Sequence, residues 1–439
     1  MQCADTKGRA RYPAWKSLIG KLIIVLLFFL CPGSVFAEEA AGSYLTDLVA
    51  PIEMHGFLEL RAGYRTQKDS HEKDISVMET RLQAEFFTYT QWADFKYKAD
   101  VWGDRVTEKG EYDTREAWFF SRPTDFLDIK VGRQVLTWGT GDLIFLNDLF
   151  PKDWQSYFIG RDNEYLKAPS DAAKFSLFMD FVNIDLVYTP QFDPDRYITG
   201  TYISHWNETD HRISGQGAVA AAHTPDQWFH DDEFAVRVYR NIHNYELALY
   251  GYHGFWKRPA GQTFSGEAIF PSLNVYGGSA RGQLGPGIGN VEFAYYQSND
   301  DKEGSKPLVN NSEIRYLVGY ARDLTKDFNA ALQYYIEQLL DYGAYKKNLT
   351  GALSRDQFRH LITLQLSMLL MNQNLELSMA SYYSPSDKDV YLLPNIRYKW
   401  TDDIILETGA NIFIGETPYT FFGQLEKNTN IYVAVKYSF

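Results

Sequence analysis

The last nine residues of the chain alternate strictly between two kinds of side chain. One row is apolar or aromatic, and the other is mixed: Ile431, Val433, Val435, Tyr437 and Phe439 against Tyr432, Ala434, Lys436 and Ser438. Successive side chains of a β-strand point to opposite faces, so this segment predicts a strand with one wholly apolar face. That pattern is typical of a strand with lipid on one side and a polar barrel interior on the other.

The same period-two alternation recurs along the chain. In the segment 92–104 the charged side chains share one face, and the opposite face carries none. Comparable strands are predicted at 56–65, 77–89, 182–189 and 357–371, where helical periodicity fits less well. Hydrophobic residues make up 45% of the chain, yet after residue 37 no apolar run is long enough for a transmembrane helix.

The predicted connections between strands fall into two classes that alternate in order. Eight are tight turns and nine are mostly longer, which predicts about 18 strands, with 16 as the alternative because the segments near Phe175, Val275 and Tyr391 are weak. Short turns on one side and longer loops on the other are typical of bacterial outer-membrane barrels. The sequence therefore predicts an all-β fold, a transmembrane antiparallel up-and-down β-barrel over residues 55–439.

The N-terminus has the order of segments found in a secretory leader. Basic residues precede a short apolar run, Leu22 to Leu30, and small residues follow it up to Ala37. This order predicts a cleaved signal peptide at 1–37 and an N-terminal periplasmic segment at 38–54. Removing five basic residues and one acidic residue with the leader lowers the formal net charge from −13 to −17, which argues against a nucleic-acid partner.

The predicted loop 139–171 is the first candidate functional region. It is rich in aromatic residues and paired charges, and a loop of about 30 residues in a compact fold is usually functional or disordered. We expect it to fold into the lumen and form a constriction; the alternative is a loop that only caps the barrel rim. The candidate constriction residues are Arg133, Asp142, Asp148, Lys152, Asp153, Arg161, Asp162 and Glu164.

The charged rows of the predicted strands form the second candidate region. They contain both signs, which predicts a hydrated passage without a clear preference for anions or cations; the alternative is a charge network that holds the strands in register. The candidate lumen-lining residues are Arg61, Arg81, Glu85, Lys96, Lys98, Asp100, Arg237, Arg315, Arg359 and Arg397. We expect no catalytic residue, no metal site and no cofactor. Both cysteines, Cys3 and Cys31, lie in the leader.

Two resemblances narrow the class. The terminal strand, with Val433, Val435, Tyr437 and Phe439, resembles the assembly signal of Gram-negative outer-membrane barrels. The whole mature chain is similar to an outer-membrane porin. These likenesses imply contact with outer-membrane lipid and lipopolysaccharide, and with the barrel-assembly machinery.

A shorter motif is similar to the alginate-export and related porin-like families: Gly132, Arg133, Gln134, Trp138 and Gly139. This resemblance implies a strongly cationic conduit for a polyanionic substrate, whereas the lumen predicted here carries charges of both signs.

The favoured function is a channel for diffusion of small hydrophilic or charged solutes. Two alternatives remain. One is a conduit for hydrophobic, lipid-like or polysaccharide substrates, or the barrel component of an export or electron-transfer assembly with a periplasmic partner. The other, an outer-membrane enzyme, needs a nucleophile beside a histidine. The nearest pair, His360 and Ser367, is predicted to lie on opposite faces of one strand.

Overall fold

The structure is a computed structural model that describes residues 52–207, 210–219, 222–349 and 354–439. The predicted signal peptide and residues 38–51 of the predicted N-terminal segment lie outside the described residues.

The described chain forms eighteen long strands, which confirms the predicted all-β class and strand number. Each predicted segment lies in a strand of nearly the same bounds, and the three weak segments are strands too. The strands are β1 Glu53–Arg65, β2 Ile75–Tyr89, β3 Asp94–Asp104, β4 Lys109–Thr124, β5 Leu127–Val135, β6 Pro169–Phe178, β7 Asn183–Thr189, β8 Glu233–Ile242, β9 Tyr245–Phe255, β10 Ser272–Leu284, β11 Gly287–Ser298, β12 Glu313–Thr325, β13 Phe328–Leu339, β14 Phe358–Leu370, β15 Leu375–Ser384, β16 Asp389–Lys399, β17 Ile404–Gly415 and β18 Asn430–Ser438.

Every strand pairs antiparallel with the strands before and after it, and β1 pairs with β18 to close the barrel. At the closing seam Leu60 lies opposite Val435, and Glu59 lies opposite Lys436. The final residue extends the seam, because the Phe439 N–H donates to the Gly56 carbonyl at 3.0 Å and the Gly56 N–H donates back at 3.0 Å. Closure leaves none of these eighteen strands with an unpaired edge, as a sheet in a bilayer requires.

The two faces of the barrel wall differ in the way that the alternation predicts. On β1, Leu58 and Leu60 are 42% and 53% exposed on the outer face, whereas Glu59 and Arg61 are 4% and 2% exposed on the inner face. The apolar row of β18 is likewise exposed: Ile431, Val433, Val435, Tyr437 and Phe439. The apolar rows therefore face outward.

Eight two- to four-residue turns join the strands at one end of the barrel, and nine connections join them at the other. We call these the short-turn end and the long-loop end. The longest connections are the β5–β6 connection, residues 136–168, and the β7–β8 connection, residues 190–232. The first contains helix α1 (Trp154–Ile159), and the connection after β13 contains helix α2 (Tyr342–Asn348). No helix in the described part of the chain has the length and apolar content needed to span a bilayer.

The barrel also encloses buried apolar side chains, which the expectation of a polar interior did not include. Tyr382, Tyr391 and Phe413 point inward from β15, β16 and β17, and they pack against Tyr157 and Phe158 of α1. Tyr391 and Phe413 stack with their ring centroids 4.5 Å apart. One part of the interior is therefore a packed aromatic cluster, while other parts carry charge.

Candidate functional site

The β5–β6 connection is bonded to opposite walls of the barrel. Near its start, the Thr140 hydroxyl and the Asn147 amide donate to the Glu292 carboxylate of β11 at 2.8 and 2.9 Å. Near its end, Arg161 forms an ion pair with Glu79 of β2. Since β2 and β11 lie nine places apart in a ring of eighteen strands, the connection runs from one wall to the wall facing it.

Helix α1 forms the middle of the connection, and its sequence defines both ends. The Asp153 carboxylate accepts a hydrogen bond from the Ser156 N–H at 2.8 Å, as a favoured N-cap residue does. Gly160 ends the helix at φ +84°, in the left-handed region that favours glycine. Between them, the Phe158 ring lies 5.3 Å from the ring of Tyr391. The helix is therefore held on the wall by aromatic packing.

The residues after α1 lie among charged side chains of the wall. The Gly160 carbonyl accepts a hydrogen bond from Arg61 at 2.7 Å. The Asp162 carboxylate lies 3.3 Å from Lys436 and 3.4 Å from Arg397. Burial by itself raises the pKa of Asp162, but these two cations hold that pKa below its ordinary value. This end of the connection is therefore anchored by ion pairs.

Six of the eight predicted constriction residues make contacts along the connection: Asp148, Lys152, Asp153, Arg161, Asp162 and Glu164. Lys152 pairs with Asp148 at 2.9 Å, and both side chains are buried. The Glu164 carboxylate accepts a hydrogen bond from Gln83 of β2 at 3.1 Å. These residues fasten the connection, and a role in limiting permeation stays a prediction.

The other two predicted constriction residues do not join this set. Arg133 belongs to β5, where the strand ladder fixes its backbone, and it pairs with Asp171 of β6 at 3.0 Å. Asp142 is exposed and has no ion pair within the described ranges. Neither the position of Asp142 within the long connection nor that of Arg133 shortly before it placed the side chain among the anchors.

Each of the ten predicted lumen-lining residues has an oppositely charged side chain within 4.0 Å. The pairs are Arg61 with Glu59 and Glu407, Arg81 with Glu79 and Asp100, Lys96 with Glu85 and Glu116, Lys98 with Glu164, Arg237 with Glu246, Arg315 with Glu313, Arg359 with Asp387, and Arg397 with Asp162. The charges of this part of the wall are therefore neutralised locally.

Two anchoring residues were missed by the sequence analysis. Glu292 belongs to a row in which Asn290 and Glu292 alternate with apolar residues, so the pattern was present in the sequence. Arg115 is different, because the β3–β4 register shifts beside it. Such a bulge re-aims side chains: Arg115 donates to the carbonyl groups of Glu164 and Lys167 at 3.1 and 2.9 Å.

A cavity of about 1450 Å³ lies beside the β5–β6 connection. It is lined by the connection, by the β7–β8 and β9–β10 connections, and by inner residues of β12 to β14. One of its lining carboxylates, Asp195, accepts hydrogen bonds from the Lys152 N–H and the Trp154 indole N–H, both at 2.8 Å. Burial raises the pKa of Asp195. The cavity is large compared with a typical small-molecule pocket.

Comparison with proteins of known structure identifies the fold of the described chain. No protein-family model and no curated protein matches the sequence, so the narrower resemblance to the alginate-export families has no support. The structure is similar to OccD3 (OpdP) of Pseudomonas aeruginosa, with a TM-score of 0.54, 10% identity, and coverage of 90% of this chain and 92% of that chain. It is also similar to OccAB3 of Acinetobacter baumannii, with a TM-score of 0.53, 11% identity, and coverage of 88% and 99%. Both are outer-membrane porins. The described chain has the fold of the outer-membrane porins.

Proposed function

We propose that the protein is an outer-membrane channel through which small hydrophilic or charged solutes diffuse, and that the β5–β6 connection narrows its lumen. The observation that carries the proposal is the attachment of this connection to facing walls, at Glu292 and Glu79, inside a barrel with outward apolar rows. A segment held across a barrel reduces the cross-section open to solutes. The channel is not proposed to be an enzyme.

The orientation in the membrane is part of the proposal. Bacterial barrels place short turns in the periplasm and longer loops outside the cell, so we assign the long-loop end to the cell exterior. The proposed leader at 1–37 would direct export. The C-terminal strand would engage the assembly machinery, and the outward rows would contact lipid and lipopolysaccharide.

Planar-bilayer conductance tests the channel. Residues 138–166 can be replaced by a short Gly-Ser linker, because Val135 and Pro169, which lie two residues beyond Thr137 and Lys167, are partners in the β5–β6 ladder. We expect stepwise, ohmic currents from the unmodified protein and currents severalfold larger from the deletion variant. Replacing Lys302 and Glu303 by serine is the control, because both are exposed in the β11–β12 connection and neither is among the residues that line the cavity; the conductance should stay unchanged. Absence of current from both the unmodified protein and the deletion variant would refute a diffusion channel.

A second candidate function rests on the inward aromatic cluster. Phe158, Tyr391 and Phe413 form an apolar cluster inside the barrel and are at most 2% exposed, so a conduit for hydrophobic or lipid-like molecules would require this packing to open. Such a conduit, or the barrel component of a larger assembly, would give little ionic current even after the deletion. Uptake of a hydrophobic dye by proteoliposomes without conductance would support it.

A further inference from the structure

A groove of about 500 Å³ crosses the outer face of the barrel wall from β2 to β5. The smallest side chain in it is that of Ala117, which lies opposite Tyr97 in the β3–β4 ladder. Larger side chains of the outward rows surround this position: Phe86, Phe95, Phe119 and Val131. The groove is therefore a depression among aromatic side chains on the surface that faces away from the lumen.

An aromatic group marks the end of the groove that is nearer the short-turn end. Trp92 lies in the turn between β2 and β3 and is 60% exposed. Its ring centre lies 5.8 Å from that of Phe95 and 6.0 Å from that of Phe119. Tryptophan is enriched where a membrane meets water, because one edge of its ring is apolar and its N–H can donate a hydrogen bond. This end of the groove therefore suits the ester region of a lipid.

Hydroxyl groups lie at the other end of the groove. The Tyr97 hydroxyl is hydrogen-bonded to the Tyr112 hydroxyl, which also lies 3.0 Å from the Thr114 hydroxyl. Both tyrosines belong to outward rows and are exposed. A hydroxyl in hydrocarbon is costly unless it has a partner, and these groups supply partners to one another. The apolar part of the groove therefore extends from Trp92 to Tyr97.

The charge of the groove indicates what kind of molecule fits it. Among the described residues that line it, no outward side chain is charged. Lys96 also lies at the groove, but it belongs to the inner row, where its ammonium pairs with Glu85 at 2.9 Å. A lipid headgroup would find no counterion in the groove, whereas a hydrocarbon chain needs none.

Packing explains why a chain would stay there. Water is absent from the hydrocarbon region of a bilayer, so only a lipid chain or another apolar group can fill a depression at that depth. Association inside a bilayer is driven by van der Waals contact rather than by the hydrophobic effect. A flexible chain in the groove contacts protein on more sides than a chain on a smooth wall, and it gains the corresponding dispersion energy.

We propose that this groove binds an acyl chain of a phospholipid from the leaflet at the short-turn end, with the ester region at Trp92 and the chain extending toward Tyr97. In the orientation proposed above, that leaflet is the periplasmic one. Phospholipids form the periplasmic leaflet of Gram-negative outer membranes, and lipopolysaccharide occupies the outer leaflet. The groove lies outside the lumen, so the proposal does not depend on conduction.

Native mass spectrometry of the full chain in detergent tests the proposal, with dioleoylphosphatidylethanolamine and lipid A offered in equal amounts. We expect one phospholipid to stay bound at a collision energy that removes loosely attached lipid. Ala117→Phe places a ring in the groove and should lower the fraction of protein that retains phospholipid by at least about threefold, because the ring takes the place of chain contacts.

The matched control is Ala280→Phe. Ala280 lies in the outward row of β10, opposite Leu247 and Val291, and it is not among the residues that line the groove. Its retained fraction should equal that of the unmodified protein. Heat-dependent gel mobility shows whether both variants are folded barrels.

Four results would overturn the proposal: equal losses in the two folded variants, no retained phospholipid, retention of lipid A in its place, or a dimer without lipid. Conductance is measured separately. Failure of lipid binding would therefore leave the channel standing, and retained lipid without any current would refute only the channel.

Discussion

At the scale of single residues, Glu72 in the connection after β1 is a buried acid whose environment disfavours its charge. It is 8% exposed, and its carboxylate lies against the backbone of Gly215 and Gln216 in the β7–β8 connection. Burial raises the pKa of Glu72 to about 7, although Arg65 opposes the shift. The contact between these two connections is therefore sensitive to pH.

The sign of this dependence follows from proton linkage. A carboxyl whose pKa is higher in the folded state binds more protons there, so its contribution to stability is complete below its unfolded pKa of about 4.5 and is lost as pH rises toward about 7. We expect the melting temperature to fall between pH 5 and pH 8, and to fall less in Glu72→Gln. Calorimetry of both proteins at the two pH values measures this. Glu267→Gln, on an exposed loop, is the control. If the melting temperature of Glu72→Gln fell as much between the two pH values as that of the unmodified protein, Glu72 would not be the source of the pH dependence.

At the scale of elements, helix α1 depends on the glycine that ends it. A Cβ atom on Gly160 would lie 2.4 Å from the ring of Tyr432, and its φ of +84° disfavours any other residue. The carbonyl of the same residue accepts the hydrogen bond from Arg61. The turn after α1 therefore allows the approach of the connection to β18 and β1.

Substituting this glycine should be costly. We expect Gly160→Ala to lower the free energy of unfolding by at least about 1–2 kcal/mol, the cost of a left-handed residue, with the contact against Tyr432 adding to it. Gly343→Ala is the matched control, because Gly343 lies in α2 with open space around it, and helix propensity predicts a gain of up to about 1 kcal/mol there. Urea unfolding in detergent measures both. Similar effects of the two substitutions would show that the turn is not constrained.

The elements also show what alternation can and cannot predict. The strands, their faces and the two classes of connection were predictable, because lipid on one side and charge on the other leave a period-two pattern. Asn290 and Glu292 carried that pattern and could have been recognised as inward. The bulge at Arg115 and the aromatic docking of Phe158 depend on contacts between distant segments, which periodicity does not encode.

At the scale of the whole molecule, closure between β1 and β18 gives every strand two neighbours and one outward row. Val433 and Ile414 are both outward, at 55% and 52% exposed. Val433 lies near the middle of β18, whereas Ile414 lies one residue from the long-loop end of β17. If the outward rows contact lipid, these two sites lie at different depths in the bilayer.

Lysine substitutions at the two sites test this placement. We expect Val433→Lys to destabilise the barrel in phospholipid vesicles by about 2–4 kcal/mol and Ile414→Lys by about 0–1 kcal/mol, because a charge is most costly near the bilayer centre. Reversible urea unfolding in vesicles measures the difference. Equal costs at the two sites would argue against a bilayer around these rows.

The attachment of the β5–β6 connection at Glu79 and Glu292 has a mechanical consequence. A hollow ring under uneven lateral pressure becomes oval, but a ring braced across its diameter resists this, because flattening would compress or stretch the brace. The same segment would then set both the width of the passage and the stiffness of the wall. A variant widened by its removal would also deform more easily as the surrounding bilayer is compressed.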